Sequence, residues 1–191
     1  MKTIVVVGAG ALGSHAVQFL RSSGTALRVV DFDRVESRNV ASQFHGKPSV
    51  GKSKVASLQQ AMSFLFGAKI EAVPHRLAAD NARELLGKAD LVLDCLDNGA
   101  SRRLVQAFVR QHEIPCLHGA LAADGAFARV TWDEDFTIDD EPAAGAATCE
   151  DGEHLPFIAL AAAFLAKAAQ EFVSKGARVG FQVSPGGAIR T

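Results

Sequence analysis

A chain of 191 residues is long enough for one domain with a substantial core. Hydrophobic residues make up 48% and charged residues 21%, the balance of a globular protein. A formal net charge of -1 argues against a protein that holds nucleic acid by charge.

The first segment, Met1–Gly10, has one Lys and then a β-branched run that meets glycines. It offers no small-residue cleavage site, so it does not read as a signal peptide. Thr3–Val7 reads as a buried parallel strand. Ala11–Arg21 has helical spacing, with Leu12, Ala16, Phe19 and Leu20 on one side. Leu27–Val30 is a second strand ending at Asp31, which completes a βαβ unit of about thirty residues. Arg34–Ser49 is polar and irregular. Gly51–Phe66 reads as a helix with Val55, Leu58, Met62 and Phe66 facing inward.

A strand over Ile70–Val73 and a short helix over Asn81–Leu86 follow. Leu91–Cys95 is a strand, Leu96–Ala100 a loop and Ser101–Gln111 a helix. Pro115–His118 and Phe127–Trp132 are strands. Asp133–Glu153 is rich in Asp, Glu, Gly and Ala and has no periodicity; a loop of that length is often functional. Leu155–Val173 is a long apolar helix. Its Ala-rich part, Phe157–Ala169, is short for a membrane span and is broken by Lys167. Val179–Val183 and Ala188–Thr191 flank Ser184-Pro185-Gly186-Gly187, a hairpin signal. Strands alternating with helices predict an α/β domain over 1–191. Its sheet is Rossmann-type and mostly parallel, with helices on both faces and an antiparallel hairpin at the end.

The three cysteines, Cys95, Cys116 and Cys149, are far apart and odd in number, which argues against a disulfide framework. A reducing cytoplasm is the simplest compartment. Cys95 and Cys116 end buried strands and read as small core residues. No CxxC pair is present to build a four-cysteine zinc site. The six histidines show no metal spacing, and His118 at a strand end reads as packing, with lining of the pocket as the alternative.

Gly8, Gly10 and Gly13 form a GxGxxG between a strand and a helix. Such a turn lets backbone approach phosphates, and the helix N-terminus attracts negative charge. Asp31 ends the next strand, where a carboxylate can accept bonds from ribose hydroxyls. This fingerprint suits NAD and ATP alike. The residues that follow favour ATP: Asp31 to Asn39, Gln43, Gly51-Lys52-Ser53-Lys54, then Asp94-Cys95-Leu96-Asp97-Asn98 with Arg102. They supply an acid for a metal ion, cations for a polyphosphate and amides for positioning, as adenylation of a carboxylate requires. Each has an ordinary alternative. Asp97 can cap the next helix, and Lys52 and Lys54 can be solvated surface on a first helical turn.

In these motifs the chain resembles the ThiF/MoeB family, bacterial relatives of the ubiquitin-activating enzymes. The family's DxDxVxxxN matches Asp31 to Asn39, its VGxxK matches Val50 to Lys54, and its DCxDN matches Asp94 to Asn98. Thr148-Cys149 before the long apolar helix and the terminal hairpin also match. The resemblance implies ATP-dependent adenylation of the C-terminal glycine of a ubiquitin-like or sulfur-carrier protein, with Mg2+. Asp31 would hold the ribose, and Asn39, Lys52 and Lys54 the triphosphate, with Lys54 at the catalytic lysine position. Asp97 would bind the metal, and Arg102 would support its loop. Cys149 would stand where some members carry a reactive thiol, although Glu150, Asp151 and Glu153 favour its neutral form. Asp133–Glu153 would cross over the partner's tail, and two such domains would pair as a homodimer. No membrane or nucleic-acid partner is implied.

Three departures stand out. Ser42 replaces a family arginine, for which Arg34 or Arg38 can substitute in charge. The family's N-terminal arginine and its zinc CxxC pairs are missing from this sequence. Adenylation of a small-molecule carboxylate and a non-catalytic nucleotide-binding scaffold therefore remain as alternatives.

Overall fold

Ile4, Val5, Val6 and Val7 are each at most 2% exposed, so the first strand is covered on both faces and carries no polar alternation. The computed structural model describes residues 1–122, 124–138 and 152–191. Eight strands form one sheet: β1 (Thr3–Val7), β2 (Ala26–Val30), β3 (Glu71–Val73), β4 (Leu91–Asp94), β5 (Cys116–Leu121), β6 (Ala128–Trp132), β7 (Phe181–Ser184) and β8 (Gly187–Arg190). Their spatial order is β3-β2-β1-β4-β5-β6-β7-β8. Pairing is parallel from β3 to β5 and antiparallel from β5 to β8.

The helices are α1 (Ala11–Leu20), α2 (Lys54–Phe66), α3 (Ala82–Leu86), α4 (Gly99–Gln111) and α5 (Leu155–Lys175). One core packs Leu12, Val17, Leu58, Met62 and Leu165 from α1, α2 and α5 against the sheet. The other packs Leu85, Leu86, Val105 and Val109 from α3 and α4 against the opposite face. The expected α/β architecture, covered on both faces and ending in a hairpin, is what forms.

Boundaries move where local chemistry competes with periodicity. The helix expected from Gly51 begins at Lys54. Gly51 is left-handed at φ +85°, and Ser53 is the cap, its side chain accepting from the Ala56 N–H. Phe66 is not inward: it is 41% exposed, beside the exposed Phe64 and Leu65. Left-handed Gly67 (φ +63°) ends α2 there. The Arg21 guanidinium lies over the Phe66 ring, 4.4 Å from its centroid. The polar stretch after β2 holds two 3-10 turns, Ser37–Ala41 and Lys47–Ser49.

The last helix runs on to Lys175, where Gly176 (φ +71°) ends it. At 21 residues it is long and apolar enough to cross a membrane by length and composition alone, a test that core helices also meet. Its buried side chains, among them Phe157, Leu165 and Ala169, pack instead in the core shared with α1 and the sheet. Part of its apolar surface is thus covered by its own chain.

Candidate nucleotide site and its support

The C-terminal ends of β2, β1 and β4 lie side by side, and every described site residue comes from the segments that leave them. In open α/β sheets this edge is where ligands bind, at the point where the strand order reverses. The three glycines of the first turn do different things. Gly8 is at φ +96°, and a Cβ on it would lie 2.8 Å from the Cys95 carbonyl oxygen. A Cβ on Gly13 would lie 1.9 Å from the Gly8 carbonyl oxygen, so α1 can approach the loop only without a side chain there. A Cβ on Gly10 would meet nothing within 4 Å. That position leaves space for a ligand, at a helix N-terminus with no side-chain cap.

Asp31 fastens this turn. Its Oδ2 accepts from the Ala9 N–H at 2.7 Å and its Oδ1 from the Asp33 N–H at 2.7 Å. Burial pushes its carboxyl above the ordinary value, although both N–H bonds pull the other way. Lys54 is buried, not a solvated surface residue. Its Nζ lies 3.2 Å from Asp33 Oδ2 and its N–H donates to the Asp33 carbonyl. Lys52 is exposed, in the turn before α2. Asn39 is buried, and its Oδ1 accepts from the Glu36 N–H at 2.8 Å.

Arg34 donates to the Gly51 carbonyl and Arg38 pairs with Glu36 at 2.8 Å. Ser42 is buried, and its carbonyl accepts from His15 Nε2 at 3.1 Å. His45 Nε2 donates to the Ala9 carbonyl at 3.0 Å, while its Nδ1 is buried without a partner. Burial lowers both His15 and His45, which suits neutral rings with one donating nitrogen. The two rings tie the segment around Ser42 to α1 and the glycine turn. Sequence reasoning assigned neither of them.

The Asp97 loop follows β4. Asp97 itself is exposed, and its contact is with the neighbouring Asn98 amide at 3.4 Å. The helix cap is Asn98, whose Oδ1 accepts from the Ser101 N–H at 2.9 Å. Asp97 is therefore not the cap of α4. Among the described residues no cluster of three His, Cys, Asp or Glu side chains could hold a metal ion. One hard carboxylate still fits Mg2+, which is commonly held by one or two carboxylates plus substrate phosphates.

Beneath the loop lies a buried polar network. Asp94 is fully buried and accepts from the Leu96 N–H, from Arg102 at 2.9 Å and from His118 Nδ1 at 2.7 Å. Arg102 also donates to the carbonyls of Leu96 and Gly119. His118 Nε2 lies 2.9 Å from Asp133 Oδ1, and the ring stacks on Phe136 with centroids 4.1 Å apart. Gln106 and Arg110 bond Asp133 as well, at 2.9 and 2.7 Å. Burial opposes the Asp133 carboxylate, but bonds from Arg110, Gln106 and His118 outweigh it and hold its pKa below the usual range. His118 is thus not simple packing, and Asp133 was read only as the start of a loop. One sequence signal could have found them: Arg102, Gln106 and Arg110, four apart, form a polar stripe along one face of α4.

Cys95 and Cys116 are free and buried, and burial pushes both thiols well up, as core residues. Cys149 lies outside the described residues. Two cavities, of about 380 and 600 Å³, lie elsewhere, around Arg129 and Arg178 and along α2 at Gln60 and Lys69. Neither includes a residue of the strand edge, so the assignment rests on backbone geometry and the polar groups that meet there.

The family model described as the ThiF family matches residues 1–179. The SAMP-activating enzyme E1 of Haloferax volcanii is 38% identical over 124 residues, covering 62% of this chain and 45% of that protein. The sulfur carrier protein adenylyltransferase of Thermus thermophilus is 37% identical over 122 residues, with coverage of 62% and 45%. The molybdopterin-synthase adenylyltransferase of Escherichia coli is 36% identical over 121 residues, with coverage of 61% and 48%. The chain spans less than half the length of these relatives. Among solved structures, E. coli MccB with ATP matches with a TM-score of 0.77 over 100% of this chain and 62% of that one, at 15% identity. That likeness shows the fold. With a family model matched along nearly its whole length, the chain belongs to the ThiF family.

Proposed function

We propose that this chain is an ATP-dependent adenylyltransferase acting on the C-terminal carboxylate of a ubiquitin-like or sulfur-carrier protein. The observation that carries the reading is the meeting of three parts at one sheet edge: an open glycine turn, the Asp33–Lys54 pair and the Asp97 loop. The names of the relatives, adenylyltransferases and an activating enzyme, support it.

In this reading the α1 N-terminus and the Gly8–Gly13 turn receive the phosphates, and Asp31 accepts from the ribose. Asn39, Lys52 and Lys54 line the triphosphate. A carboxylate oxygen of the partner bonds to the α-phosphorus, and the bond to the bridging α–β oxygen breaks. Pyrophosphate leaves with the electron pair and an acyl-adenylate remains. Lys54 is buried beside Asp33, so its charge acts in a low dielectric on the leaving phosphates. Asp97 would hold Mg2+, which supplies further charge neutralisation when bound. The step needs no protein nucleophile; positioning and electrostatics suffice.

The test is ATP–pyrophosphate exchange driven by a small partner protein ending in Gly-Gly, with a melting comparison beside it. At a hundred times its Kd, ATP with Mg2+ stabilises by about 2.7 kcal/mol, or about 5–10 °C for a chain of this size. An equal or larger shift with NAD overturns the nucleotide assignment. Exchange with small carboxylates alone overturns the partner. The same reading places the enzyme in a reducing cytoplasm and pairs two such domains. Sedimentation at micromolar concentration is expected to give a dimer, and monomer alone overturns the pairing.

A further inference from the structure

Two strand ends converge on one imidazole, which stands within the strand between them. Asp94 ends β4, His118 lies beside it in β5 in paired register, and Asp133 follows β6. A carboxylate oxygen accepts and cannot donate. The ring nitrogens lie 2.7 Å from Asp94 and 2.9 Å from Asp133, so two acids are linked through a single ring. Cys116 Sγ, 3.6 Å from Nε2, and the stacked Phe136 also flank the ring.

Each end of this link leads to Asp97. On one side Asp94 holds the Leu96 N–H and Arg102 the Leu96 carbonyl, so the residue before Asp97 is fixed at both backbone groups. On the other side Asp133 and Phe136 lie in the segment that continues to Ile138. The Ile138 methyl carbon lies 3.4 Å from where a Cβ on Gly99 would stand, two residues after Asp97. Gln106 and Arg110 of α4 bind the same segment through Asp133 and through the carbonyls of Phe136 and Asp133. The segment thus reaches the start of α4, directly after the loop, and His118 joins the bases of loop and segment.

We propose that His118 is a positioning residue that fixes the Asp97 carboxylate by bracing the Leu96–Asn98 loop against the Asp133–Ile138 segment. The functional half of this rests on the adenylyltransferase reading; the bracing itself does not. A brace differs from local packing in that cutting one end loosens the other.

Two substitutions cut one end each. His118→Asn keeps a donor where Nδ1 stood, toward Asp94, and removes the one toward Asp133. His118→Gln keeps the donor where Nε2 stood and removes the one toward Asp94. Hydrogen–deuterium exchange on the full chain without ligand reads both ends. In His118→Asn, amides of 133–138 are expected to exchange faster, and so are those of 96–98, although the bond to Asp94 is intact. Unchanged protection at 96–98 in that variant overturns the proposal. In the exchange assay both variants are expected to need several-fold more Mg2+ for half-maximal rate and to lose about tenfold to a hundredfold in kcat, as misplacement of a reacting group does. A lower melting temperature with unchanged kcat and Mg2+ dependence also overturns it. If neither variant folds, Asp133→Asn cuts the brace at its far end, with the same two readouts and the same overturning results. If the wild type shows no pyrophosphate exchange, the adenylation reading falls while the amide comparison still decides the brace.

Discussion

Asp97→Ala is expected to lower partner-dependent pyrophosphate exchange by about two to three orders of magnitude, the usual cost of removing one group that stabilises transition-state charge. Its fold should be unaffected. Asp97 is exposed, its hydrogen bond among the described residues is with the adjacent Asn98 amide at 3.4 Å, and Asn98 rather than Asp97 caps α4. Exposed positions of that kind change stability by about 0.5 kcal/mol or less. Asn98→Ala supplies the contrast. Loss of its bond to the Ser101 N–H costs about 1 kcal/mol of helix capping, and the metal ligand is retained. Exchange rates and melting curves of both variants check the pair. Near wild-type exchange in Asp97→Ala would remove the metal assignment. Cys149→Ala belongs in the same assay, and exchange should survive it, because adenylation uses only the phosphate and metal groups.

Gly13→Ala is expected to destabilise the protein severely. By intrinsic propensity alone, alanine inside a helix is better than glycine by about 1 kcal/mol. Here the added methyl would sit 1.9 Å from the Gly8 carbonyl oxygen and 3.1 Å from Cys95 Cβ. Overpacking commonly costs about 1–3 kcal/mol, and backbone on the far side of the contact cannot swing away. A loss of about 3 kcal/mol lowers Tm by about 6–12 °C. Gly10→Ala should do the reverse: the fold is kept, because its methyl meets no atom of the described residues beyond its chain neighbours within 4 Å. The stabilisation by ATP is lost, because the methyl occupies phosphate space. Melting with and without ATP separates the two variants. A Gly13→Ala protein as stable as the wild type would mean that α1 does not pack on the turn as described.

The parts of the fold that sequence made legible are those written locally. β-branched runs marked the strands, and Ser184-Pro185-Gly186-Gly187 marked the hairpin. The glycine turn with Asp31 also fell where expected, because its spacing is set by one βαβ unit. Errors came where a cap overrode a period, as at Ser53, or where a period outran its packing surface, as at Phe66. The network below Asp97 was missed for a different reason. His118 meets Asp94 across 24 residues and Asp133 across 15. Neither distance is a helical or strand spacing, so only the β4–β5–β6 arrangement brings them together. Lys54 shows the same effect: its motif position was readable, but its burial against Asp33 was not. Cys149 lies outside the described residues and keeps the standing that the motif gave it.

The position of β1 has a consequence for the nascent chain. Its two partners are β2, in register with Ala26–Val30, and β4, in register with Leu91–Asp94. When the first ninety residues have left the ribosome, β1, β2 and β3 can pair, but the other edge of β1 has no strand beside it. That edge is formed by Ile4–Val7, fully apolar and without a charge or proline to discourage wrong pairing. The face of α1 that α5 covers stays open longer still, until residues 155–175 are made. Synthesis at about 5–20 residues per second leaves the unprotected edge waiting for seconds. Refolding of the full chain meets the same pairing between strands nearly ninety residues apart, a non-local closure that slows folding. Expression at lower temperature, or with a holdase chaperone present, should therefore raise soluble yield more than a substitution on the finished surface would.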